Sequence, residues 1–399
     1  MSRSANKFVF VVCGARGHID TLHLSLAALK RVTANEIWVV TDNARNEIAI
    51  EHHRILNIAT PAHLNHHQAS IYLKTSLHRF LPKGNNYCYL DTDVIALSKE
   101  PDSIFTEKQG PVTFAADHCR LAQFSPHSVH CNCVEQNEKD RQEINNLLIR
   151  YGYNPPVIQP SLLQKQHQLK QKLEVIKQSK ILLLKTAMRF ALSSSVFSLD
   201  ADTLYDKRGH FWSDAGGNPL LYETPPGVIK LVEKSSAWRW SRIRRRWTSP
   251  DGKDVQLLAC SHLKEAIATK FKVNINERWQ HWNGGVFLFD DSSHPFMEAW
   301  HQNTLSIFND PYWKTRDQGS LIATVWQLGL QNSTLLPKKF NFIAYFYNPA
   351  LVISNDKTTI SDDAFTTQHQ PAFIHVFEHF GATGWDIWDW IESKIKKYS

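Results

Sequence analysis

The sequence predicts an α/β fold built on a parallel sheet and interrupted by a long insertion. Three observations carry this. The first 120 residues alternate short apolar runs with amphipathic stretches, as parallel α/β sheets do. Between about 121 and 260 the chain turns polar and helical, then rich in tryptophan, and from 261 the α/β texture returns. Three segments follow: 1–120, 121–260 and 261–399.

KFVFVV reads as the first strand, GARGHIDTLHLSLAALKRV as a loop and an amphipathic helix, and NEIWVVTD as a second strand ending at Asp42. His67 to Phe80 reads as helical, and Pro82-Lys83-Gly84 breaks it before the strand YCYL. PVTFAAD is a further strand, ending at Asp117. In open α/β sheets ligands sit beyond the carboxyl ends of the strands. Gly14, Asp42, Asp91 and Asp117 all stand at such ends, which predicts one pocket. Within the insertion, Asn137 to Lys185 reads as helical. YDKRGHFWSDAGGNPL (205–220) and RIRRRWTSPDGKDV (242–255) read as a repeated β-hairpin. After 261, HWNGGVFLFD is a strand with a glycine turn, TRDQGSLIATVWQLGL a helix, LPKKFNFI a short extended piece, and PAFIHVFEHF a strand.

The 399 residues are 42% hydrophobic and 21% charged, the balance of a soluble globular protein with ample apolar surface for a core. A net charge of +7 favours anionic partners such as nucleotides, phosphorylated glycans or an acidic membrane surface. Nothing resembles a nucleic-acid recognition motif, so no nucleic-acid partner is expected. Met1 to Lys7 is polar, which predicts no signal peptide, and the six cysteines are expected to be reduced thiols in the cytosol. The stretch from Ile181 to Leu199 is broken by Lys185 and Arg189, so a buried or interfacial helix is expected there and no membrane span.

The densest chemical signal is YCYLDTDVIAL (87–97). Residues two apart on a strand share a face, so Asp91 and Asp93 project together where the strand ends. Two like charges there call for a cation, and a hard, oxygen-seeking ion such as manganese or magnesium, bridging to substrate phosphates, meets the need.

Four segments in order, YLKTSLHRFLP with YCYLDTDVIAL, WNGGVFLFD, TRDQGSLIATVWQLGL with LPKKFNFI, and FIHVFEHFGATGW, resemble metal-dependent glycosyltransferases of the GT-A fold. The likeness is greatest to the family-8 type, which includes glycogenin and bacterial lipopolysaccharide galactosyltransferases. It implies a Rossmann-like mixed sheet and transfer of a sugar from a nucleotide-sugar, a UDP-hexose, to a hydroxyl acceptor with retention of configuration. It also implies roles. Asp91, Asp93 and His375 would hold Mn2+ or Mg2+, with His379 the competing histidine. Lys74 would lie near the diphosphate or the metal-binding carboxylates. Asn283, Asp317 and Gln318 would serve the donor sugar and reaction centre. Gly284 and Gly285 would let the backbone approach the sugar, while Gly14, Arg16, Asp42 and Thr92 would complete the donor site.

The chain departs from that pattern in three places. GATGW has Thr383-Gly384 where relatives carry a lysine and a proline, so the diphosphate contact would either be missing or be supplied elsewhere, by Lys74 or Arg16. The first strand lacks an acidic residue for the base. The insertion is the third departure: its tryptophans (Trp212, Trp238, Trp240, Trp247) would either stack on acceptor sugars or form hairpin core. Likewise Arg242, Arg244, Arg245 and Arg246 would either meet acidic acceptor groups or form a solvated face. The acceptor would be a glycan, glycolipid or protein, with peripheral association at the inner membrane face in keeping with the charge. Two other readings stay open: a carbohydrate-binding protein that has lost turnover, and a sugar nucleotidyltransferase. Finally, His118-Cys119, His127 and His130-Cys131-Asn132-Cys133 have the residue types for zinc, but in a spacing that matches no zinc module. Free thiols in a loop are expected.

Overall fold

The computed structural model describes residues 4–159, 162–348, 350–354, 356–362 and 367–397. The first part of the chain gives β1 (Ala5–Val11), α1 (Arg16–Lys30), β2 (Glu36–Thr41), β3 (Ile55–Asn57), α2 (His66–Thr75), α3 (Leu77–Phe80), β4 (Asn85–Leu90), β5 (Val94–Ala96), β6 (Val112–Ala116) and α4 (Leu121–Ser128). The excursion that follows holds α5 (Cys133–Arg150), α6 (Leu163–Gln178), α7 (Lys180–Leu192), β7 (Val196–Asp200), β8 (Thr203–Asp206), β9 (Phe211–Asp214), β10 (Pro219–Tyr222), α8 (Pro226–Ser235), β11 (Arg239–Ser241) and β12 (Arg246–Thr248). The return gives α9 (His262–Phe271), β13 (Trp282–Phe289), α10 (His294–Leu305), α11 (Arg316–Gln327), β14 (Phe342–Tyr345), β15 (Val352–Ile353), β16 (Ile360–Ser361), β17 (Phe373–Phe377) and α12 (Asp386–Lys397).

Six strands form the main sheet in the order β3-β2-β1-β4-β13-β6. The first four are mutually parallel, and β13 runs antiparallel to both β4 and β6, so the sheet is mixed. Both faces are covered. Phe8, Phe10 and Val12 pack with Ile19, Leu22, Leu26 and Leu29 of α1 on one side. Val9, Val11 and Cys13 face the opposite layer, where Ile71 and Leu73 of α2, Trp300 of α10 and Leu321 of α11 meet them. This burial on both sides explains why the strands read as continuous apolar runs. A second sheet, β14-β17-β5, branches off directly after the acidic turn, and α12 packs on it through Ile387, Trp388, Trp390 and Ile391.

The helical expectation for 137–185 resolves into α5, α6 and α7, with residues 160 and 161 outside the described set. The repeated-hairpin expectation changes shape. Residues 205–220 run through a four-stranded meander, β10-β9-β8-β7, and the second hairpin pairs β11 with β12, starting before 242. Trp212, Trp238 and Trp247 are buried, and Trp240 packs edge-on against Trp247, so these rings build hairpin cores and do not form open platforms. Of the arginines, Arg245 pairs with Glu223 and Arg246 with Asp254, while Arg242 and Arg244 are exposed. Of the two alternatives for the 181–199 stretch, a buried or an interfacial helix, the buried one fails for α7, none of whose residues is buried; Ile181, Leu184 and Leu192 are 79%, 65% and 86% exposed. Among the described residues, no helix is long and apolar enough to cross a membrane.

Candidate active site at the carboxyl edge of the main sheet

Asp91 follows the last residue of β4, and Asp93 precedes β5 after a one-residue turn. The same turn routes the chain out of the main sheet and into the second one. There β17 pairs antiparallel with β5, setting His375 opposite Val94. Register alone therefore delivers the imidazole to the acidic turn from almost 300 residues away. One ligand atom from each of Asp91, Asp93 and His375 lies within 4.8 Å of the other two. His375 Nε2 stands 3.3 Å from Asp93 Oδ1, and Asp93 remains 32% exposed. Two carboxylate oxygens and one imidazole, open on one side, fit a hard divalent cation that keeps positions free for phosphate oxygens. His379 does not join them: it is exposed, packs tilted against Phe346 and meets the Tyr347 hydroxyl at 2.9 Å.

The tautomer of His375 follows from a chain of hydrogen bonds that begins at Asp117. That carboxylate can only accept. Burial raises its pKa, but the hydrogen bond from His118, the nearby His281 ring and the Asn283 amide outweigh this and hold it well below the usual carboxylate range. Asn283 must therefore turn its amide nitrogen toward Asp117 and donate to Oδ2 at 2.9 Å. Its oxygen then accepts from Asn341 Nδ2 at 3.0 Å, which turns the Asn341 oxygen toward His375 Nδ1 at 3.2 Å. His375 donates from Nδ1, so in the neutral ring the Nε2 lone pair points at the acidic turn. A metal-ligating histidine needs this second partner. Where no cation is bound, burial disfavours the charged ring, yet Asp93 more than offsets this and raises the His375 pKa.

Lys74 completes the charge arrangement. Its ammonium is 3.2 Å from Asp91 Oδ1 and 3.2 Å from Asp317 Oδ2, with a side chain only 9% exposed. Burial alone lowers its pKa, and the two carboxylates raise it on balance. Tyr89 lies two residues before Asp91 on the same strand face, and its hydroxyl donates to Asp91 Oδ1. Lys74 and Tyr89 thus engage one oxygen of Asp91, while the other keeps only a 3.4 Å contact to Lys74.

Asp317 and Gln318 lie in the first turn of α11. The Gln318 amide oxygen accepts from Gly284 N–H at 3.1 Å, and its nitrogen donates to the Trp282 carbonyl. Gln318 therefore grips the strand at the point where the register of β13 against β6 shifts, between Asn283 and Phe287. Such a bulge re-aims side chains at a sheet edge. Gly285 is required for a reason the sequence did not disclose: a Cβ there would stand 2.4 Å from His375 Cε1, so the ring lies directly on the glycine. At Gly284 a Cβ would meet Gln318 Oε1 at 3.3 Å and Lys74 Nζ at 3.5 Å.

Other expected site residues have different surroundings. Asp42 is consumed by structure: it accepts from Thr60 N and Oγ1 at 2.8 and 2.6 Å, caps the Ala44 N–H, and pairs with Arg45 at 3.3 Å. Its strand lies two places from β4, roughly 10 Å along the edge. Gly14 has φ +105°, and a Cβ there would run into His66 at 2.5 Å. Arg16 opens α1 with its side chain 70% exposed and only a 4.0 Å contact to Asp20. Thr92 is half-buried in the acidic turn, its carbonyl accepting from Ser25 Oγ at 2.6 Å. Asn341, Tyr89 and His281 were not singled out in the sequence. For Tyr89 the signal was present, since strand periodicity puts it on the face of Asp91.

No known protein family matches the sequence, and no curated protein matches it. Solved structures align with the chain at low similarity. The apo WbbM bifunctional glycosyltransferase is 11% identical with a TM-score of 0.39, over 98% of this chain and 50% of that one; this chain thus spans about half its length. The galactosyltransferase LgtC, in complex with donor and acceptor sugar analogues, is 9% identical with a TM-score of 0.39, over 97% of this chain and 95% of that one. Mouse xyloside xylosyltransferase 1, in its apo form, is 10% identical with a TM-score of 0.34, over 93% and 97%.

Proposed function

We propose that the chain is a metal-dependent glycosyltransferase of the GT-A type, moving a hexose from a UDP-sugar to a hydroxyl acceptor with retention of configuration. The observation that carries this reading is the convergence of Asp91, Asp93 and His375, with Lys74 behind them and the Asn283–Gly285 turn beside them, at the carboxyl edge of a mixed α/β sheet. Manganese or magnesium held by the three ligands would supply Lewis-acid stabilisation of the charge that grows on the leaving diphosphate. Lys74 adds positive charge on the protein side of the same point and fixes Asp91 and Asp317 relative to each other. Gln318 holds the Gly284 backbone in place, so the turn is set before donor arrives. Galactosyl transfer with bound donor and acceptor analogues, as the LgtC complex is described, is the kind of chemistry envisaged.

The experiment is thermal stability with UDP, UDP-glucose, UDP-galactose and GDP-mannose, each with and without manganese, followed by product analysis on the best donor. Stabilisation by a uridine nucleotide that requires manganese, then release of UDP on adding acceptor, is the expected result. Release of pyrophosphate from a sugar phosphate and UTP would replace the reading with a nucleotidyltransferase. Metal-dependent binding without turnover on any acceptor would replace it with a binding protein.

The acceptor is proposed to be presented at an anionic membrane surface, as a glycolipid would be. Helix α7 supports this. It exposes Ile181, Leu184, Met188 and Leu192, carries Lys180, Lys185 and Arg189, and contains no acidic residue. Apolar area combined with cationic side chains is what binds an anionic lipid interface. Vesicles containing phosphatidylglycerol should co-sediment the protein, whereas pure phosphatidylcholine vesicles should not. The double variant Leu184→Asp, Leu192→Asp should weaken the partition by roughly tenfold or more. Equal sedimentation of wild type and variant would end the membrane proposal and leave the transfer reaction untouched.

A further inference from the structure

The geometry points to a structural zinc site of the Cys3His type, formed by Cys131, Cys133, Cys260 and His262 at the base of the insertion. One donor atom from each of these residues lies within 4.8 Å of all the others. Cys133 Sγ and His262 Nδ1 are 3.5 Å apart. In a zinc tetrahedron with Zn–S near 2.3 Å and Zn–N near 2.0 Å, neighbouring ligand atoms stand about 3.5–3.8 Å apart, so this pair already has the spacing of a tetrahedral edge. All four residues are half-buried and all three thiols are free.

The surroundings suit a thiolate–metal centre on three further counts. Cys133 is the first residue of α5 and His262 the first of α9, so two helix N-termini face a cluster whose net charge with zinc is −1. Ser125 accepts the Leu263 N–H at 2.9 Å and stands 3.1 Å from Cys260 Sγ, where its hydroxyl is placed to donate to a thiolate. Both ligand pairs are also pinned by backbone: His130 N–H donates to the Tyr312 carbonyl at 2.8 Å, and Cys260 N–H to the Ala122 carbonyl at 2.9 Å. Zinc would displace the three thiol protons and bind three thiolates and a neutral imidazole.

The sequence hid this set. Cys131-x-Cys133 supplies half of it, and the other half, Cys260-x-His262, arrives only after the whole excursion. His118, His127 and His130 are not members of the cluster, and His118 and Cys119 sit with Asp117 instead. The zinc would bind the point where the chain leaves the catalytic layer to the point where it returns. Both points lie on the layer formed by α4, α9 and α11, where Leu121, Leu263, Ile267 and Ile322 pack together, and α11 begins with Asp317 and Gln318.

The test is metal content of the full chain, purified without a histidine tag from zinc-supplemented medium. About one zinc per chain is expected by elemental analysis, surviving dialysis against metal-free buffer. Cys260→Ser and Cys133→Ser should each retain less than roughly a tenth of it, whereas His375→Ala, at the other cluster, should retain all of it. A wild-type ratio near zero, or zinc unchanged in both cysteine variants, overturns the proposal. Should the cysteine variants fail to fold, cobalt substitution of the wild type decides. Thiolate-to-cobalt charge transfer with intense tetrahedral visible bands supports the site, and a weak octahedral spectrum overturns it. None of these readouts depends on glycosyl transfer.

Discussion

Asp93→Asn is expected to lower sugar transfer by about a thousandfold or more while leaving the fold intact. The size follows from what the carboxylate does. A divalent ion stabilising a developing phosphate charge contributes several kcal/mol to the transition state, and about 4 kcal/mol corresponds to about a thousandfold. Asparagine keeps the shape and one oxygen of Asp93 but removes the charge that draws the ion and faces His375. Stability should fall only modestly, because Asp93 is about a third exposed and the buried His375, whose pKa Asp93 raises, can return to the neutral ring once that charge is gone. The decisive comparison pairs kcat/KM with the manganese-dependent rise in Tm under UDP. Both should vanish together, with the metal-free Tm within a few degrees of wild type. Transfer within tenfold of wild type would remove Asp93 from the metal site. Loss of transfer with a normal manganese response would move its role from ion binding to the sugar.

Much of the fold was legible because its strands carry unmixed signals. The residues of KFVFVV face two different helical layers, and a run buried on both sides has few alternatives to a central parallel strand. The antiparallel direction of β13 was not legible from its residues, since WNGGVFLF is apolar on both faces whichever way it runs. Its direction depends on pairing with strands about 170 to 200 residues earlier in the chain. At the site, the acidic turn and the asparagine–glycine turn could be read, because each breaks a buried strand at a fixed place. Asp42 shows the limit of strand-end logic. It stands at the carboxyl end of β2 as expected, but nearby Thr60 and Arg45 satisfy its carboxylate. Asn341 shows the opposite error. A polar residue only 4% exposed, between fully buried Phe340 and Phe342, is costly unless partnered, and its partners are Asn283 and His375. Those partners are 58 and 34 positions away in sequence, so composition and local pattern carry no trace of them.

Lys74→Met should produce the largest loss of stability among the site variants, about 2–3 kcal/mol. A buried ion pair broken on one side costs about 3–5 kcal/mol, and the partial exposure of Asp91 (29%) and Asp317 (21%) reduces that here. Methionine fills most of the lysine's volume, so the effect isolates charge from packing. Two carboxylates then share a pocket with no cation between them. The double variant Lys74→Met, Asp317→Asn should recover more than half of the lost stability, because the remaining Asp91 still accepts from Tyr89. Manganese should also restore part of the Tm in the single variant, since any cation drawn to Asp91 offsets the missing ammonium. A lysine acting only on the donor diphosphate predicts a different set of numbers: near-normal stability, no rescue by Asp317→Asn, and a loss confined to donor affinity. If Lys74 serves both purposes, the double variant regains its fold and stays poor at transfer. That separation of stability from turnover assigns the residue's two contacts independently.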